Sequence, residues 1–130
     1  MTQCTVPAGR RLATLCLFSL VLGAATARAA DLHHGEDVFA QECAECHSVR
    51  EGKNKKGPSL FAVAGRKAGV VADFAYSDSM RQSGIVWTTA ALDAYIANPR
   101  KAVAGGKMKY DGLADGRDRE DLIAYLGSLK

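Results

Sequence analysis

Cys43-Ala44-Glu45-Cys46-His47 places two thiols three positions apart with an imidazole immediately behind them. Three positions is about one helical turn, so both sulfurs fall on one face. There they can add across the two vinyl groups of one haem, and the adjacent imidazole falls beneath the iron as an axial ligand. Three other chemistries use the same string. A thioredoxin-like redox pair requires a βαβ setting, and no strand pattern precedes Cys43. A structural zinc site requires a second Cys or His pair, for which the body of the chain offers only His33 and His34. A plain disulfide is open to any cysteine pair in an oxidising compartment.

The sixth position of such an iron needs a second ligand. Met80 and Met108 are the methionines of the chain body, and a thioether is a soft ligand that favours reduced iron. Met108 lies between Lys107 and Lys109 in a loop, where core packing explains a methionine poorly. Met80, in Ser79-Met80-Arg81-Gln82, has a similarly polar setting and stays open from local sequence. Spacing favours Met108.

The elements that must hold these groups are short. Glu36–Glu45 reads as a helix, with Gly35, Phe39 and Cys43 recurring every four residues; Gly35 marks a helix start or a close crossing. His33 and His34 read as part of a solvated tail. Residues 50–58 form a basic loop carrying Lys53, Lys55 and Lys56, broken by Gly52, Gly57 and Pro58. Residues 70–84 show no sustained period, and Phe74 and Tyr76 are the expected inward anchors. Thr88–Asn98 is a second helix with Leu92, Tyr95 and Ile96 on one face, stopped by Pro99. Residues 100–116 read as an extended loop around Met108. Asp118–Leu129 is a third helix, capped by Asp118, with Leu122, Ile123, Tyr125, Leu126 and Leu129 buried. About 100 residues with so many loops make a thin core. A haem's apolar faces would complete it.

Residues 1–30 read as an export signal cleaved near 27–30. Arg10 and Arg11 supply the basic start, Leu12–Ala27 is uncharged, and Ala25-Thr26-Ala27 and Ala27-Arg28-Ala29 are small-x-small sites. The uncharged run is shorter than a comfortable membrane span. Cys4 and Cys16 would leave with it. The domain is then 31–130. There 14 Lys and Arg meet 14 Asp and Glu, so the formal +3 of the whole chain comes from Arg10, Arg11 and Arg28. A neutral body gives no reason to expect a nucleic-acid partner.

From about Gly35 to Leu129 the chain closely resembles class I cytochromes c of the mitochondrial and bacterial cytochrome c-two type. The likeness rests on Cys43-x-x-Cys46-His47, Gly57-Pro58-x-Leu60, Gly65-Arg66-Lys67-x-Gly69, Tyr76 and Trp87, Tyr95-x-x-Asn98-Pro99, Lys107-Met108, and Arg119 to Leu126, in family order. It implies an all-α fold, the small cytochrome c fold, with three to four short helices and long loops wrapped around one haem. It implies haem c bound covalently through Cys43 and Cys46, and His47 and Met108 as the metal ligands, which makes Met80 a non-ligand. Pro58 would accept the His47 ring proton, Tyr95 would hydrogen-bond toward the Met108 sulfur, and Arg66, Tyr76 and Trp87 would contact a haem propionate. Gly35, Phe39, Leu122 and Tyr125 would form the crossing of first and last helices.

The implied role is a monomeric, periplasmic single-haem electron carrier rather than an enzyme. Its partners would be larger redox proteins met briefly at the membrane: a quinol-oxidising complex, a terminal oxidase, a reaction centre or a dehydrogenase. Dedicated service to one periplasmic dehydrogenase, and weak peroxidase or ligand-binding activity, are the alternatives. Two departures stand out. Ala104-Gly105-Gly106-Lys107 replaces the relatives' Pro-Gly-Thr-Lys, which predicts a more easily displaced Met108. Glu42 replaces the mitochondrial lysine before the first cysteine, which weakens a basic docking face; Lys101, Lys107 and Lys109 join the 50–58 lysines as a local one.

Overall fold

A computed structural model describes residues 28–130; the expected export segment lies outside them except for its last three positions. The first helix, α1, runs Leu32–Val38 and passes directly into a wider π turn, Phe39–Cys43. It begins four residues earlier than the apolar period suggests, because the Asp31 side chain accepts from the His33 and His34 N–H groups. The π turn is closed by Ala44 N–H to Phe39 C=O, 2.9 Å, and delivers the chain to the Cys43–His47 motif.

A one-turn helix, α2 (Asp78–Gln82), sits in the stretch read as aperiodic, capped by Ser77. Five residues are too few for a period to show. Next, α3 (Thr89–Ala97) is capped by Thr88, with Leu92, Tyr95 and Ile96 buried as expected. Pro99 ends α3 and opens another turn, α4 (Pro99–Ala102), with Asn98 accepting from Lys101 N–H. A proline at the first helical position loses no hydrogen bond, so it serves both ends. Finally, α5 runs Gly116–Ser128 and is capped by Asp115 rather than Asp118, which falls in its first turn. Among the described residues the extended pairing is a single antiparallel bridge, Lys67 with Val86.

α1 crosses α5. A Cβ at Gly35 would stand 2.1 Å from the Asp121 carbonyl oxygen, so only glycine lets the backbones meet. Phe39 packs on Tyr125 with ring centroids 5.9 Å apart. Leu122, Ile123 and Leu126 of α5 join Val38, Leu92, Ile96 and Trp87 in one core. His34 is not a solvated tail residue: its Nδ1 lies 2.9 Å from Oδ2 of Asp121, whose side chain is fully buried. Asp121 also accepts from Asp31 N–H at 2.7 Å, so one carboxylate ties the start of α1 to α5. Those bonds, the backbone one first, hold the Asp121 carboxyl below its ordinary range, and the Asp121 hydrogen bond raises His34.

Arg119 fixes the N-terminal end of α5 on its other side. Its Nε donates to Asp93 Oδ1 (2.7 Å) on α3, and Nη1 to the carbonyls of Leu113 and Ala114. The loop carrying Met108 is thereby anchored where it enters α5.

Candidate haem site

The attachment turn is closed on Cys43: its carbonyl accepts from Cys46 N–H (3.1 Å) and His47 N–H (2.9 Å). Neither cysteine is disulfide-bonded. Burial, reinforced by Glu42 and Cys46, pushes the Cys43 thiol up to about 11. A catalytic redox pair needs the opposite, a stabilised thiolate. Among the described residues no cluster of three or more His, Cys, Asp and Glu side chains could hold a bare metal ion.

His47 Nδ1 lies 2.8 Å from the Pro58 carbonyl oxygen. A carbonyl can only accept, so the proton sits on Nδ1 and the Nε2 lone pair is free for a metal. Burial lowers the His47 pKa, outweighing the Pro58 bond, and keeps the ring neutral. The Gly57 N–H donates to Cys46 C=O at 2.8 Å and draws the 57–58 segment along the imidazole edge. A Cβ at Gly57 would lie 2.4 Å from His47 Cε1. Gly57 is therefore part of the site, a role its place in the Gly57-Pro58-x-Leu60 motif does not by itself specify.

The propionate candidates are also assembled. Trp87 N–H donates to Arg66 C=O (2.9 Å), and Gly65 N–H to Trp87 C=O (2.9 Å). The Arg66 guanidinium gives Nη1 to Phe61 C=O (2.7 Å) and Nη2 to Ser59 C=O (2.9 Å), while Nε is buried without a partner. Among the described residues no carboxylate pairs with it, so its half-buried charge is uncompensated. A haem propionate fits that deficit. Tyr76 packs edge-on against Phe74, 4.8 Å between centroids, half-buried as expected of an inward anchor.

Tyr95 is buried with its ring 5.0 Å from that of Trp87, and burial raises its pKa. The expected bond from its hydroxyl to the Met108 sulfur is not formed among the described residues. The two methionines separate cleanly. Met80 on α2 is 8% exposed and belongs to the core. Met108 is half-buried at the core's edge, beside a cavity of about 660 Å³ lined by residues 104–109 and Arg100.

One contact joins the Met108 segment to the attachment segment, and nothing in the sequence signals it. The Tyr110 hydroxyl donates to Glu42 Oε2 at 2.8 Å, joining a residue two beyond Met108 to the one before Cys43.

The family model for cytochrome c matches residues 32–130. This chain belongs to the cytochrome c family. It is 44% identical over 97 residues to a cytochrome c of Gibberella zeae, covering 74% of this chain and 92% of that one. It is 46% identical over 96 residues to a cytochrome c2 of Rhodopila globiformis, covering 74% and 91%. Its fold matches the solved structure of cytochrome cH from Methylobacterium extorquens with a TM-score of 0.70 at 41% identity, over 75% of this chain and 97% of that one.

The all-α cytochrome c fold is thus as expected, with more and shorter helices than the periodicity resolves. Cytochromes c are electron-transfer proteins, not enzymes, and their haem c is held covalently through the motif cysteines, here Cys43 and Cys46.

Proposed function

We propose that this cytochrome c carries single electrons between larger membrane-bound redox complexes in the periplasm, with His47 and Met108 as the axial ligands of its haem. The observation that carries the ligand reading is the partition of the methionines: Met80 is consumed by the core, while Met108 stands at its edge in a segment tied to the residue before Cys43.

The bound haem supplies a one-electron iron couple. The chain does the positioning. Cys43 and Cys46 tether the group, Pro58 holds the His47 ring with Nε2 outward, and Gly57 leaves room for that ring. Arg66, braced by Ser59 and Phe61, offers its charge to a propionate, with Tyr76 and Trp87 beside it. His47 and Met108 would together hold the iron of the bound group, keeping its coordination by the chain unchanged between oxidation states.

Support for export is the Arg10-Arg11 start and the uncharged run to Ala27. Among the described residues no helix is long and apolar enough to cross a membrane. Lys53, Lys101, Lys107 and Lys109 are exposed; Lys56 is paired with Glu45, so part of the basic rim is already neutralised. Electron transfer to a membrane complex should slow as salt rises if the remaining lysines steer the encounter.

The deciding experiment is a visible spectrum of ferric and ferrous protein beside Met108→Ala. The wild type is expected to show a sulfur-to-iron band and to refuse carbon monoxide when reduced; the variant loses the band and binds the gas. A band that survives in Met108→Ala would exclude Met108 as the ligand.

A further inference from the structure

The segment carrying Met108 is weakly held. It leaves the core at Val103, which is buried, and Gly106 N–H still bonds to Val103 C=O at 3.1 Å. Its backbone is next paired at Leu113, whose N–H donates to Ile96 C=O at 3.0 Å. For residues 107–112 no backbone hydrogen bond is made among the described residues. Glycines stand at 105, 106 and 112, and Gly105 and Gly112 have φ of +80° and +110°. A stretch with unpaired backbone opens at lower cost than a hydrogen-bonded one, although Gly112 backs closely onto Ala97.

Besides the packing of Met108 on the core, two polar side-chain contacts cross from this stretch to the rest of the molecule. One is Arg100 with Asp111, 3.1 Å, both side chains largely exposed, which contributes little. The other is the Tyr110 hydroxyl to Glu42, 2.8 Å. Tyr110 is half-buried and its bond is to a carboxylate, which makes it the stronger of the two. Glu42 is adjacent to Cys43, the first haem anchor. A single bond therefore closes the ligand segment onto the attachment segment, two residues from Met108 and one from Cys43.

We propose that Glu42 and Tyr110 are positioning residues, a tether that holds the Met108 thioether on the iron and so keeps the sixth position closed to outside ligands. The proposal rests on Met108 being the ligand. It assigns a task to an acidic residue that otherwise only subtracts from a basic docking rim, and it offsets the freedom of the Gly105-Gly106 loop.

The test uses imidazole as a competing ligand for the ferric holoprotein, followed by loss of the sulfur-to-iron band. Tyr110→Phe removes only the hydroxyl, and Glu42→Ala removes the acceptor. Each is expected to tighten apparent imidazole binding about fivefold, the scale of one solvent-accessible hydrogen bond. The double variant should be no weaker a barrier than either single one, because both remove the same bond. Glu42→Gln, which keeps an acceptor oxygen, should recover part of the protection. Asp111→Asn, in the same stretch, should match the wild type.

Wild-type imidazole affinity in Tyr110→Phe and Glu42→Ala, or an equal shift in Asp111→Asn, overturns the tether. Additive effects in the double variant do so as well. A band that persists in Met108→Ala instead overturns the ligand assignment on which the tether stands, so the two failures are distinguishable.

Discussion

Replacing Gly35 by alanine is a severe test of the α1–α5 crossing. The new methyl carbon would lie 2.1 Å from the Asp121 carbonyl oxygen, 2.6 Å from its carbon and 2.8 Å from Tyr125 Cβ. Two of these three atoms are α5 backbone, so no side-chain rotation relieves the clash. Reaching the 3.4 Å of ordinary contact requires the helices to part by about 1.3 Å. That movement would stretch the Asp31–Asp121 bond of 2.7 Å and the His34–Asp121 bond of 2.9 Å. Overpacking of this kind costs about 1–3 kcal/mol, and weakening two hydrogen bonds to a buried carboxylate adds ~1–2 kcal/mol. Alanine's better helix propensity returns about 1 kcal/mol. The net loss is then ~1–4 kcal/mol, a fall in the thermal midpoint of roughly 5–30 °C for a domain of this size. Thermal unfolding of the oxidised holoprotein, followed by far-ultraviolet circular dichroism, measures it. A midpoint equal to or above the wild type would show that the helices do not meet at this residue.

Gly57→Ala should push the His47 ring by about 1 Å, since its Cβ would otherwise lie 2.4 Å from Cε1; a perturbed haem spectrum and poor holoprotein yield are expected, and an unchanged spectrum and potential would count against the cradle. His34 supplies a pH signature. Its partner Asp121, helped by Asp118 and Asp31, raises its folded pKa above 6.5, so its contribution is complete below about pH 6.5 and is lost as pH rises through the folded value. Arg28 and Arg117 also line this cluster. The stability difference between wild type and His34→Asn should therefore be larger at about pH 6 than at about pH 8.5; equal differences would refute the clasp. Asp121 runs the other way, its pKa held below 3.8, so its stabilisation fails only on strong acidification.

Much of this protein was written locally. The Cys43–His47 spacing announces its chemistry because two thioethers and an imidazole must reach one haem from a single turn. The α3 and α5 stripes, from Leu92 to Ile96 and Leu122 to Leu126, were legible because burial of one helix face repeats every three to four residues. Short pieces were not: α2 and α4 span about one turn each, and the π turn at Phe39–Cys43 shares its composition with an α-helix. The caps at Asp31 and Asp115 were missed because aspartate also suits the first turn, where Asp118 lies.

Sequence alone determined which groups can bond to a haem and which faces must be buried, since those follow from side-chain chemistry and near-neighbour spacing. Tertiary structure alone decided which distant groups meet. Met80 and Met108 have similarly polar local settings, yet Met80 packs into the core from α2 and Met108 stands at the core's edge. His34 finds Asp121 across 87 positions, and Tyr110 finds Glu42 across 68. Such pairings depend on how the packed helices and loops return through space, a property of the whole core that no local window contains.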